Sequence, residues 1–389
     1  MNESGLSSWT KWVQDQSSAI SKAGQWRSTK SFDALGPVGE LLDHKKSDHK
    51  QEVISFASND YLGLSHHHEV IKAAHLALDR WGTGAGASRL VVGTRPIHKE
   101  LESALADWKK SESAVVFPTG YSANLGVLTT FGRPGIRIFS DGLNHASIVD
   151  GCRLSGAQIE VYKHNDFDHL DSLLTQARRE GCERTIVVSD TVFSMDGDIV
   201  ELSELIECSG HHGSLLVLDE AHDVFGIDID AVIDSDTIEL LRVGTLSKTL
   251  GSLGGFISGP KQFTELLINK ARSFIFTTAL TPSDTAAALA ALRIVTSTEG
   301  ERLKERLRDL INRVSPGNPS PIIPIILGSE KRAVQASEQL LEMGLWVPAI
   351  RPPTVPQGSS RLRIAISAAH QDDQIDQLVK ALATLDIVQ

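Results

Sequence analysis

Between residues 50 and 295 the chain alternates two spacings of apolar residues. One is helical: over 69–81, Val70, Ile71, Ala74, Leu78 and Trp81 fall on one face, which predicts an amphipathic helix. The other is a set of short, nearly unbroken apolar runs: AVVF at 114–117, IRIF at 136–139, IEVY at 159–162, TIVV at 185–188, LLVL at 215–218 and GGFIS at 254–258. A strand wetted on one face alternates apolar with polar residues, whereas a strand covered on both faces has no need to. Such runs between amphipathic helices predict an α/β fold with a mostly parallel sheet.

The flanks read differently. Residues 1–50 form a polar arm with a short helix around 9–23, followed by the charged stretch DHKKSDHKQE and the apolar run at 53–56. A charged helix over 296–314 leads into the Pro-rich break SPGNPSPIIP. Beyond it the pattern predicts a strand at 322–327, a helix at 333–343, strands at 345–350 and 361–367, and a last helix. The expected division is an arm at 1–50, a large domain at 51–295 and a C-terminal α+β domain at 296–389.

Composition narrows the function classes. A length of 389 residues exceeds one ordinary core. With 38 Lys and Arg against 49 Asp and Glu, no cationic excess exists to replace phosphate counterions, which argues against a nucleic-acid partner. No apolar run reaches the ~18–20 residues of a membrane span, so no membrane partner is expected. The first 30 residues lack the apolar centre of a signal peptide. Cys152, Cys182 and Cys208 are odd in number and widely spaced, which predicts reduced thiols in a cytoplasmic protein and no metal site. Gly82–Ala87 has the loose G-x-G-x-x-A pattern of a dinucleotide loop but follows a helix, where that loop should leave a strand. GTLSKT at 244–249 has Ser247 where a P-loop needs glycine. His66, His67 and His68 are not spaced as ligands on one face.

The remaining signals sit at strand ends. LLVL runs straight into Asp219, Glu220, Ala221 and His222, which puts Asp219 at the carboxyl end of a buried strand, where α/β folds place ligands. A helix cap is the alternative reading of Asp219. Further on, Lys248 stands in the Gly/Ser/Thr-rich turn 244–251, where the alternative is a solvated loop lysine. Together they suit pyridoxal 5'-phosphate, which needs a lysine for its Schiff base and a carboxylate to keep its ring nitrogen protonated. Thr245, Ser247 and the turn at 118–124, which contains Gly120 and Tyr121, offer hydroxyls and backbone N–H groups for a phosphate. An ordinary strand-to-helix turn is the bland reading of the last. His145 is the candidate to lie over the ring, with a core or capping histidine as the alternative.

These residues carry a resemblance. FASNDYLGL (56–64), GTGAGASRLVVGT (82–94), LNHASIVDG (143–151), TVFSMDGD (191–198), DEAH (219–222), GTLSKTLGSLGG (244–255) and RLRIAISAAH (361–370) stand in the order found in the α-oxoamine synthases. Members of that family are pyridoxal-phosphate acyltransferases that condense an amino acid with an acyl thioester and release CO₂. The loop IRPPTVP (350–356) is similar to the branch that joins L-alanine to a pimeloyl thioester, on CoA or a carrier protein, in biotin biosynthesis. The resemblance implies a fold-type I, aspartate-aminotransferase-like large domain with a smaller C-terminal domain, and a homodimer with shared active sites. It implies that Lys248 carries the cofactor and shuttles the α-proton, that Asp219 pairs with the ring nitrogen, and that His145 stacks on the ring. Ser194 and His222 would contact the phenolic oxygen, and Gly120, Tyr121 and Thr245 the phosphate, with Thr277 and Thr278 supplied by a second subunit. Arg363, helped by Asn59, would take the amino-acid carboxylate, and Arg351 and Thr354 would lie near the acyl substrate. Three places depart from the family pattern: Gly36-Pro37 where an arginine is usual, Asp190 where Glu is usual, and 223–226, which lacks a GTG. A relative using glycine or serine with another acyl-CoA, and a silent partner subunit, are the other readings; the presence of Lys248 disfavours the second.

Overall fold

A computed structural model describes residues 8–43, 49–226, 229 and 238–385. The charged stretch at 43–52 therefore lies partly outside the described residues. The chain forms two compact units, one of residues 1–58, 322–366 and 370–389, the other of residues 59–321 and 367–369. The first begins with helix α1 (Trp9–Lys22) and strands β1 (Ser31–Ala34), β2 (Val38–Asp43) and β3 (His49–Ser55). The larger unit opens with α2 (His68–Trp81) and α3 (Pro96–Trp108). It continues with β4 (Ser113–Phe117), α4 (Gly120–Phe131), β5 (Arg137–Asp141), α5 (Ala146–Ser155), β6 (Gln158–Tyr162), α6 (Phe167–Arg179), β7 (Thr185–Asp190) and α7 (Leu202–His211). Strands β8 (Leu215–Asp219), β9 (Leu240–Thr245) and β10 (Gly255–Gly259) follow, then α8 (Lys261–Lys270), α9 (Arg272–Ile275), α10 (Pro282–Val295) and α11 (Thr298–Val314). The chain returns to the first unit with β11 (Ile322–Gly328), α12 (Glu330–Glu342), β12 (Leu345–Trp346), β13 (Ala349–Ile350), β14 (Ser360–Ala365) and α13 (Asp372–Thr384).

In the larger unit the strands make one sheet in the order β4-β10-β9-β8-β7-β5-β6. Strand β10 runs antiparallel to both neighbours, and the other pairings in this sheet are parallel among the described residues. Successive residues face opposite ways along a strand. In β7 and β8, Ile186, Val188, Leu215 and Val217 enter one core, while Val187, Leu216 and Leu218 enter the other. This double burial is why those runs are apolar throughout. Strand β6 is the exception: it is an edge, with Val161 60% exposed, so its apolar run does not mark two covered faces.

Local chemistry fixes the helix starts. Thr119 caps α4 by accepting from Ser122 N at 3.0 Å, and Ser122 Oγ accepts from Thr119 N in return. A reciprocal cap of this kind stabilises a helix by about 1 kcal/mol. Between α2 and α3 the turn Arg89–Gly93 is locked from below, where buried Arg89 pairs with Glu102 at 2.9 Å. It thereby presents Leu90, Val91 and Val92 to the outside.

The first unit holds a four-stranded sheet, β1-β2-β3-β12, and a three-stranded one, β11-β14-β13. The expected strand at 345–350 is two strands in two sheets. Pro348 stands between them, has no N–H to continue a ladder, and gives its carbonyl to Arg363 N instead. The arm contains β1 to β3 as well as α1, which buries none of its residues.

Candidate active site

Strands β4, β5, β7, β8 and β9 point the same way, so their carboxyl ends share one edge of the sheet. That edge carries Gly120, His145, Ser194, Asp219, His222 and Lys248, each on the segment leaving a strand. Asp219 ends β8 and is 4% exposed. Its Oδ2 accepts from Asn124 Nδ2 at 2.6 Å and its Oδ1 from Ala221 N at 2.9 Å. Hydrogen bonds to a carboxylate favour its charged form. The same Asn124 amide donates to Ser147 Oγ at 2.9 Å, and Ser147 Oγ lies 2.7 Å from His145 Nδ1. Asp219 and His145 are thus joined through two side chains.

His145 is also the N-cap of α5, so its capping role and its place at this edge coexist. Ser147 N donates to its Nδ1 at 3.2 Å, which leaves the ring proton on Nε2 in the neutral form. Burial lowers the pKa of His145; the Asp219 charge opposes that shift and the Lys248 charge adds to it. Beneath it, Asp190 Oδ2 accepts from His145 N at 2.7 Å. Burial, and then the Asp219 charge, hold the Asp190 carboxyl well above the usual range.

Lys248 Nζ lies 2.9 Å from His222 Nε2, and His222 is 4% exposed. Thr245 Oγ1 is 2.8 Å from Ser247 Oγ, beside the N-terminus of α4. The two segments press together so closely that a Cβ on Gly120 would meet Thr245 Oγ1 at 3.4 Å. Side by side stand a helix N-terminus with hydroxyls, an amine and a buried carboxylate, which match the phosphate, the aldehyde and the ring nitrogen of pyridoxal phosphate. Asn124 Oδ1, buried and without a hydrogen-bond partner among the described residues, is an acceptor still open at this edge. The residues present therefore fit the cofactor.

Other sequence candidates are placed as follows. Tyr121 Oη donates to Asp150 at 2.5 Å, which raises the phenol's pKa, so what Tyr121 offers at α4 is its backbone N–H. Ser194 is buried in the turn after β7. Thr277 Oγ1 reaches the Thr278 carbonyl at 3.5 Å and Thr278 is exposed; neither hydroxyl joins the network among the described residues. Asn59 lies half-buried in the larger unit. Arg351, Thr354 and Arg363 belong to the first unit, where Arg363 is buried on β14 and Arg351 Nη1 donates to Gly24 O at 2.5 Å. Sequence reasoning quoted Ser147, Asn124 and Tyr61 only within motifs and gave none of them a role of its own.

One further cluster braces this edge. His164, after β6, sits between Asp141 (3.0 Å) and Asp198 (2.6 Å), edge-on to Phe193. Burial works against a charged ring, but the hydrogen bonds to and charges of the two carboxylates raise its pKa to about 10. The cation ties the end of β5 to the turn that carries Ser194.

A family model for class I and II aminotransferases matches residues 51–382. The 8-amino-7-oxononanoate synthase of Anaeromyxobacter dehalogenans is 42% identical over 390 residues, covering 96% of this chain and 95% of that one. The enzyme of that name from Geobacter sulfurreducens is 42% identical over 350 residues, 86% of this chain and 89% of that one. Among solved structures, a serine palmitoyltransferase from S. paucimobilis with bound PLP and myriocin superposes with a TM-score of 0.87 at 28% identity, covering 98% of this chain and 100% of that one.

Proposed function

The chain belongs to the class I and II aminotransferase family, among its α-oxoamine synthases, and on that premise we propose that it condenses L-alanine with a pimeloyl thioester, releasing CO₂ and 8-amino-7-oxononanoate for biotin biosynthesis. Its cofactor is pyridoxal 5'-phosphate. One observation carries the reading: Lys248, Asp219 and the N-terminus of α4 meet at a single sheet edge.

Bound there, the cofactor supplies an electron sink for the charge left when bonds at the amino-acid α-carbon break. The chain does the rest. Asp219, held in place by Asn124 and the Ala221 N–H, faces the ring nitrogen and keeps a proton on it. Lys248 carries the cofactor and, once displaced by alanine, takes the α-proton at Nζ and later returns a proton. His145 lies over the ring in its neutral form, which burial favours. Ser194 and His222 take the phenolic oxygen. The first N–H groups of α4, at Gly120 and Tyr121, with Thr245, hold the phosphate, and Thr277 and Thr278 of a second copy complete it. Arg363, with Asn59, orients the alanine carboxylate, since a guanidinium fork matches that planar anion. Arg351 and Thr354 flank the acyl chain.

We take the active form as a homodimer, a reading supported by the outward apolar run Leu90, Val91 and Val92. The free thiols Cys152, Cys182 and Cys208 support a reducing, cytoplasmic setting. Among the described residues no helix is long and apolar enough to cross a membrane.

The test is a competition assay on purified, cofactor-loaded protein, with alanine, glycine and serine against pimeloyl-, acetyl-, succinyl- and palmitoyl-CoA, products read by mass. The mass of 8-amino-7-oxononanoate is the expected result. A different aminoketone, such as one from serine and palmitoyl-CoA, would keep the reaction class and move the substrate. The serine palmitoyltransferase likeness makes that arm the informative control.

A further inference from the structure

Behind Lys248 stands a line of side chains in which one member, Tyr61, has no part in the reaction as written. Lys248 Nζ is 2.9 Å from His222 Nε2, and on the far side of the same ring His222 Nδ1 is 2.6 Å from Tyr61 Oη. Tyr61 Oη is in turn 3.2 Å from Asn59 Oδ1. Tyr61 is fully buried and His222 nearly so, while Asn59 is half-exposed at the open end. All four residues lie in the larger unit.

The chemistry of these groups sets a direction on the line. An ammonium can only donate, an amide oxygen can only accept, and a phenol and a neutral imidazole each have one proton to give. When Lys248 donates to Nε2, that nitrogen is bare and the ring proton is on Nδ1. Nδ1 then donates to Tyr61 Oη, and the Tyr61 proton goes to Asn59 Oδ1. Turned about, Tyr61 donates to Nδ1 and the ring shows an N–H at Nε2. The 2.6 Å contact serves both arrangements, because a hydroxyl donates or accepts with equal ease.

We propose that Tyr61 is a positioning residue that lets His222 change tautomer. The ring would show Lys248 an accepting Nε2 while Lys248 carries no cofactor, and show a donating Nε2 to the cofactor's phenolic oxygen once Lys248 is engaged. The inference deepens the function proposed above and rests on it. In the change-over Nε2 takes the proton that Lys248 gives up, and Nδ1 passes its own to Tyr61 Oη. The proton that Tyr61 held toward Asn59 leaves to solvent at that half-exposed end. One proton enters the line and one leaves, no bond between heavier atoms changes, and His222 stays neutral. A phenylalanine at position 61 would fill the same space but could neither accept from nor donate to Nδ1.

The experiment labels the histidine rings with ¹⁵N and reads the nitrogen shifts of His222, assigned by their loss in His222→Asn. In cofactor-free protein His222 is expected to carry its proton on Nδ1, and in pyridoxal-phosphate-loaded protein on Nε2. The same tautomer in both states overturns the proposal, and this comparison needs no variant at position 61. In Tyr61→Phe the Nδ1–H has no acceptor, so the preference that Lys248 sets at Nε2 in the cofactor-free protein is expected to weaken and the His222 nitrogen shifts to move. With it kcat should fall about tenfold while the KM for the amino acid stays within about threefold, less than the ~10²–10⁴-fold of a group that itself transfers the proton, because Tyr61 acts through His222. Unchanged His222 shifts in a folded Tyr61→Phe, or an unchanged kcat, would also overturn it. The cofactor-free tautomer is read without any turnover, so absence of product from every substrate pair would sink the proposed reaction without touching this result.

Discussion

At Asp219 both carboxylate oxygens are engaged before any cofactor arrives, one by Asn124 and one by the Ala221 N–H. That preorganisation makes the carboxylate's charge, rather than its shape, the property on which the ring depends. Asp219→Asn is therefore expected to keep the fold, with a Tm within about 3 °C of wild type, and to lower kcat at least a hundredfold, as for loss of a preorganised charge. Turnover within a few-fold of wild type would remove the electron-sink role. Asp219 and Lys248 stood out in the sequence as a pair: a helix cap or a solvated loop would account for either one alone, but a carboxylate ending an apolar strand and a lysine in a glycine-rich turn together suit one cofactor. Tyr61 did not, because a tyrosine within FASNDYLGL looks the same in sequence whether its hydroxyl is used or idle. Ser147 escaped for a different reason: its partners, His145 and Asn124, come together only when α4 and α5 pack.

Among elements, the ends of β5 and β7 are braced by one cation. The His164 pKa of about 10 in the folded chain stands above the ~6.5 of an unfolded histidine. Its contribution to stability is thus fully present below pH ~6.5 and is lost as pH rises through about 10. The Tm gap between wild type and His164→Gln should be widest near pH 6 and narrow toward pH 10, from an effect of about 1 kcal/mol after solvent screening of a partly exposed ring. A gap that is constant with pH would mean that His164 acts by packing on Phe193 alone. The strand runs at 185–188 and 215–218 were readable because both faces of β7 and β8 are covered, so no polar residue interrupts them. The run at 159–162 gave the same signal from an edge strand, since the sequence does not record which strand ends a sheet. Strands β1 and β2 and the start of β3 were read as a polar arm because charged residues such as Asp33, Glu40, Lys50 and Glu52 interrupt them, and only the end of β3 falls in the apolar run at 53–56.

For the whole molecule, the homodimer reading makes a measurable demand. Val91 is 73% exposed at the crest of the Arg89–Gly93 turn, where a buried ion pair fixes the backbone. Val91→Asp should raise the dimer dissociation constant at least tenfold by light scattering, because an unpaired charge would be buried on association. A dimer as tight as wild type would place the interface elsewhere. Finally, the strand order bears on how the protein is made. In the sheet, β4 is hydrogen-bonded to β10 alone, with Phe117 opposite Gly255. At ribosomal rates of ~5–20 residues per second, the stretch from one strand to the other takes on the order of 10 s to synthesise. For that interval a strand that is apolar from Ala114 to Phe117 waits on the nascent chain without its neighbour, and the turn that follows it has no wall to rest against. Cofactor capture is therefore a late event in the life of each new chain, and the window before it is when a holding chaperone would matter most.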